Sequence, residues 1–137
     1  MISFFVAGTP RPGGSKRAGR GRTSGGFTKI VESGKYTRAW RDAVGWVGRQ
    51  AMRGRPPLAG PLRVFFHFYL PRPKRRSPER HTSRPDVTKL VRAAEDALTG
   101  ICWEDDAQIV TQYAKKMYAD DSGEHPPGCW IKIAPIP

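Results

Sequence analysis

LRVFFHFYL, residues 62–70, is the most strand-like stretch of the chain: aromatic and β-branched side chains set between a Gly/Pro-rich segment (54–60) and a loop with three prolines (71–84). Apolar residues occupy both of its faces, which predicts a strand that is central or covered on both sides. His67 within it reads as a core histidine. Upstream, Tyr36, Trp40, Ala43, Val44, Val47 and Ala51 recur at spacings of three and four, so residues 36–52 read as an amphipathic helix with Arg38, Arg41, Arg49 and Arg53 off the stripe. Gly45 and Gly48 weaken that helix by roughly 1 kcal/mol each, and close packing against a neighbour would explain both. ISFFVA (2–7) reads as a first strand and Phe27 to Val31 as a short second one. Downstream, Asp86 caps a helix from Val87 to about Leu98 with a stripe of Leu90, Val91, Ala94 and Leu98, closed by Thr99-Gly100. A turn at Glu104-Asp105-Asp106 leads into an alternating strand at 107–118, and Trp130 to Ile133 form a last strand. The expected fold is α+β: a single small domain spanning 1–137, with a mostly antiparallel mixed sheet packed against two main helices.

With 137 residues the chain can bury one core. No apolar run approaches the ~18 residues of a membrane span, and the N-terminal apolar residues precede the basic ones, the reverse of a secretory signal. Cys102 and Cys129 suggest half-buried thiols in a reducing cytoplasm rather than a disulfide or zinc framework. The net charge of +12 is segregated: residues 1–84 carry 19 of the 24 Lys and Arg but three of the 12 acids. Six acids fall within 86–106: Asp86, Glu95, Asp96, Glu104, Asp105 and Asp106. A purely electrostatic DNA binder has no use for such a cluster. A metal-dependent nuclease needs both parts, cations to hold the backbone and carboxylates to hold divalent ions against it.

Two segments are expected to be mobile basic loops that contact DNA phosphate. Residues 8–26 offer Arg11, Lys16, Arg17, Arg20 and Arg22; residues 71–84 offer Lys74, Arg75, Arg76 and Arg84. The second leads directly into the acids. Magnesium keeps several waters and takes one or two protein carboxylates. Asp86 starts a helix and Asp105-Asp106 lie at the mouth of the following strand. Helix and return segment form a hairpin-like unit, expected to bring these two ends together.

RPDVTKLVRAAEDALTGICWEDDAQIV, residues 84–110, resembles the signature of the RusA-type Holliday junction resolvases. The matching residues are Asp86, Leu90, Asp96-Ala97-Leu98-Thr99, Trp103 and Asp105-Asp106-Ala107-Gln108. The resemblance implies a small homodimeric, magnesium-dependent endonuclease of branched DNA, with manganese as substitute, in the cytoplasm of a bacterial or phage-infected cell. Of the family's three metal-binding aspartates, the first falls on Asp86 and the third on Asp106. The second falls on Thr88, which brings no charge. The family's helix lysine falls on Arg92 and its asparagine on Lys89, both placed to contact or neutralise phosphate. Asp105, Glu95 or Asp96 would then partly restore the missing charge. Positions 88, 92 and 95 share one helix face, so Glu95 is also placed to pair with Arg92 at i,i+3.

Three functions compete. An endonuclease would use Asp86, Asp106 and Arg92 for cutting, with Asp105 as a further metal ligand. A weakened relative, lacking a carboxylate at Thr88, would bind four-way junctions without cutting. A basic RNA- or ribosome-associated protein would explain the charge but not the acids.

Overall fold

The computed structural model describes residues 1–13, 24–74, 79–120 and 122–137, and over 24–34 the course of the backbone alone. The elements are β1 (Ile2–Ala7), α1 (Ser24–Met52), β2 (Leu62–Leu70), α2 (Val87–Leu98), a 3-10 turn (Asp106–Gln108), β3 (Ile109–Tyr118) and β4 (Gly128–Pro135). The sheet order is β1-β4-β2-β3. β4 pairs antiparallel with β1 and β2, whereas β2 and β3 run parallel, joined through α2. β2 is therefore an interior strand, as its apolar content requires, and β1 and β3 are the edges.

One face of the sheet meets the helices. Phe4 and Val6 of β1, Val64, Phe66 and Phe68 of β2, and Ile131 and Ile133 of β4 are buried with Trp40 and Val44 of α1 and Leu90, Ala94 and Leu98 of α2. Gly45 and Gly48 of α1 serve the helix–helix contact. A Cβ on Gly48 would stand 2.5 Å from Leu98 Cδ2, while one on Gly45 would lie 3.4 Å from the Ala97 carbonyl oxygen. Cys102 and Cys129 are free and fully buried, so burial pushes both thiols well above their ordinary pKa.

Several sequence expectations are corrected. Phe27 to Val31 belong to α1, which begins at Ser24 rather than at 36. A long helix satisfies its own backbone, whereas a short strand there would need a neighbour in the sheet. Tyr36 is 57% exposed and lies outside the buried stripe. The strand expected over 107–118 begins at Ile109, because Asp105 caps a 3-10 turn ahead of it. β4 extends over Gly128–Pro135, beyond the expected 130–133, since it pairs on both sides. The segment 8–26 is not one mobile loop. Pro10 and Gly13 are buried, Gly13 N–H donates to the Lys89 carbonyl at 2.9 Å, and residues 24–26 are helical. Residues 14–23 lie outside the described residues.

Candidate nucleic-acid and metal site

α2 and β3 lie side by side and run in opposite directions. Midway, Gln112 Nε2 donates to Glu95 Oε2 at 2.6 Å. Just ahead of α2, Lys116 Nζ donates to the carbonyls of Ser83 (2.6 Å) and Pro85 (2.8 Å). The start of β3, with Asp105 and Asp106, is thereby carried to the C-terminal end of α2. Asp106 Oδ1 accepts from Trp103 Nε1 at 2.8 Å and lies 2.5 Å from Thr99 Oγ1, in the residue that caps the end of α2. The Thr99 hydroxyl is also 2.7 Å from the Glu95 carbonyl oxygen and shares its single proton between the two.

Asp86 stands at the other end. It is the N-cap residue of α2, but its side chain makes no capping bond; it is 63% exposed and faces Lys89 Nζ at 4.0 Å. The 12-residue helix between them is roughly 18 Å long at ~1.5 Å per residue. Two ligands of one magnesium lie within about 4 Å of each other, since each is ~2.1 Å from the ion. The expectation that the hairpin brings Asp86 and Asp106 onto one cation therefore fails within a single chain. The reason is topological: a strand folded back along a helix places its start beside the helix's end. Among the described residues, no three His, Cys, Asp or Glu side chains converge as a metal site.

Thr88, Arg92 and Glu95 do share a face. They line a groove of about 230 Å³ between α2 and β3, closed by Gln112 and Ala114. Partial burial, the Asp106 carboxylate and then Asp96 raise the Glu95 pKa; the Gln112 amide and Arg92 act the other way, and the balance is about 7. Glu95 is bonded by Gln112 rather than by the expected ion pair with Arg92, which attracts it only from a longer range. Asp96 is exposed one position further round.

Asp105 and Gln108 hold the corner. Asp105 Oδ1 accepts from the Ala107 N–H at 2.8 Å. Gln108 Oε1 accepts from the N–H groups of Glu104 and Asp105, and its Nε2 donates to the carbonyls of Leu58 and Gly60. Asp105 is thus spent on a capping box. Trp103, fully buried, completes the corner.

Of the cations expected on DNA, Arg11 lies over the Tyr36 ring (5.2 Å), and Lys74 and Arg84 are exposed. Lys16, Arg17, Arg20, Arg22, Arg75 and Arg76 lie outside the described residues. Two contributors, Gln112 and Lys116, escaped sequence reasoning. Both belong to the strand positions that face α2, opposite to Tyr113. His81 packs at a tilt against the Tyr118 ring with 4.8 Å between centroids, and burial and then Lys116 hold its pKa below the usual histidine value. No spacing in the sequence announces either contact.

A protein-family model described as Endodeoxyribonuclease RusA matches residues 7–125. The chain is also 28% identical over 138 aligned positions to an uncharacterized Bacillus subtilis (strain 168) protein, YqaN, covering 88% of this chain and 89% of the relative.

Proposed function

Because this chain belongs to the RusA endodeoxyribonuclease family, we propose that it is a structure-selective endodeoxyribonuclease that resolves four-way DNA junctions by paired symmetric nicks. In this reading it acts as a homodimer and uses magnesium. The family supports a nuclease role in DNA processing. The observation that carries the finer reading is the Asp106 carboxylate, whose Oδ1 is held by Trp103 and Thr99. An oriented carboxylate with defined partners is the arrangement that metal ligands require.

Asp86 and Asp106 of one chain lie too far apart to share an ion, so the reading assigns them to a site completed by a second copy. β3 is an open edge of the sheet, with Val110 exposed on it, and an open edge is a template for pairing. Two copies apposed antiparallel along β3 reverse one chain against the other. The N-terminal end of α2, with Asp86, then comes beside the start of β3 in the partner, which follows Asp106. Arg92 in the groove would neutralise phosphate, and Lys89 and the basic segments would hold the arms. A two-fold dimer matches the symmetry of a four-way junction.

The test is subunit mixing on a labelled junction in magnesium. Asp86→Asn and Asp106→Asn should each abolish cutting while binding persists. Co-purified together, they should recover about a quarter of wild-type nicking, because half the dimers are mixed and each of those keeps one intact site. A mixture as dead as its parents removes the shared-site reading. The groove also gives a second reading some support, since Thr88 brings no charge to it. Wild-type protein that shifts the junction but leaves it intact in magnesium and manganese, and that gains cutting with Thr88→Asp, is the weakened binder instead.

A further inference from the structure

The sheet has a second face, which the described helices do not cover. Strand alternation directs Phe5 of β1, Trp130 and Lys132 of β4, Phe65 and His67 of β2, and Tyr113 and Lys115 of β3 to it, opposite the core residues of the same strands. The rings form a continuous lane across the sheet. Phe5 and Trp130 are cross-strand partners with centroids 5.4 Å apart; Trp130 is in turn the partner of His67. His67 and Phe65 each lie 6.0 Å from Tyr113 at the far edge. Trp130 is 40% and Tyr113 49% exposed.

Among the strand residues of this face the charge has one sign. No Asp or Glu occurs in any of the four strands. Lys132 is the partner of Phe65, and Lys115 of His67, so an ammonium flanks the lane on either side of β2. Burial, then Lys115 and Lys132, hold the His67 pKa below its ordinary value, which keeps the ring neutral and stackable at pH 7. The carboxylates of Asp86, Glu95 and Asp106 belong to α2 and its closing corner, on the other side of the sheet.

We propose that this face is a stacking surface for unpaired bases of DNA. Planar rings flanked by cations are what a single strand needs: a π-surface for each base and a positive charge for the backbone beside it. An aliphatic protein partner would strip water from both ammoniums and leave them unpaired. Trp130 and Tyr113 are two strands apart, about 10 Å across the sheet, which suits two to three bases. A nuclease of branched DNA meets such bases where arms exchange, but the proposal stands apart from the metal site and is tested without metal.

The experiment is fluorescence anisotropy in EDTA with a labelled oligo-dT of about a dozen residues and, separately, a blunt duplex. The double variant Trp130→Ala/Tyr113→Ala should weaken oligo-dT binding about tenfold or more, with duplex affinity changed less than about twofold. Trp130→Phe should retain most of the oligo-dT affinity. Charge reversal at the exposed Lys115 and Lys132 should likewise cost oligo-dT more than duplex, and this carries the test where the aromatic variant fails to fold. Equal losses for both ligands, or no loss for either, overturn the proposal. So does a fall in oligomeric state of the sheet-face variants by light scattering, which would assign the face to a second copy of the chain.

Discussion

Asp86 and Asp106 occupy opposite ends of one helix, the first at its N-cap and the second anchored to its C-cap through Thr99. The proposed metal-dependent cutting turns on that separation. It divides the residues that family resemblance groups together, and it makes the quaternary arrangement part of the active-site question. Recovery of nicking by mixing Asp86→Asn with Asp106→Asn subunits, read on a denaturing gel, is the direct measurement.

Asp106 also stabilises the corner it belongs to. In Asp106→Asn the remaining carbonyl oxygen can still accept from the Trp103 indole, so stability should change by less than about 1 kcal/mol. Asp106→Ala leaves that buried N–H without a partner and should cost about 1–3 kcal/mol. Urea titration of the two variants separates the structural role from the chemical one. Gln108→Ala, which removes four hydrogen bonds between two loops, should lose a comparable amount.

Gly45 and Gly48 of α1 should respond with opposite signs. Gly45→Ala meets ordinary van der Waals distances and gains helix propensity, so it should stabilise by up to about 1 kcal/mol. Gly48→Ala drives a methyl to 2.5 Å from Leu98 Cδ2, which is fully buried and has nowhere to retreat. Overpacking of about 1–3 kcal/mol should outweigh the propensity gain. Midpoints of thermal unfolding decide both.

Glu95 should impose a pH dependence on the metal-free protein. Its folded pKa of about 7 is raised above the ordinary carboxylate value of 4.5. The unfolded chain therefore gives up this proton first, and the native state loses stability as pH rises from about 4.5 to 7, with no further loss above. Glu95→Gln should flatten that part of the profile and be the more stable form above pH 7, by roughly 1–2 kcal/mol once solvent screening of a half-exposed group is allowed for. Urea denaturation at pH 4.5 and 8 in EDTA gives the difference. A wild-type curve parallel to that of the Gln variant would show that the groove does not hold the carboxylate back from ionising.

Much of this molecule was legible in its residues. β2 and α2 occupy the spans that periodicity predicts, 62–70 and 87–98, because a run apolar on both faces and a capped apolar stripe each have one low-energy solution. Gly45 and Gly48 announced a close helix contact before any neighbour was known, and the face shared by Thr88, Arg92 and Glu95 followed from 3.6 residues per turn. What failed was non-local. Spacing along the chain says that α2 is followed by a returning strand, but not that β3 lies parallel to β2 at an open edge of the sheet. That direction is fixed by hydrogen bonds between strands about forty residues apart in sequence. Local patterns determine which elements form and which sides they bury. Only tertiary pairing decides which ends meet, and for Asp86 and Asp106 it decided that within one chain they do not.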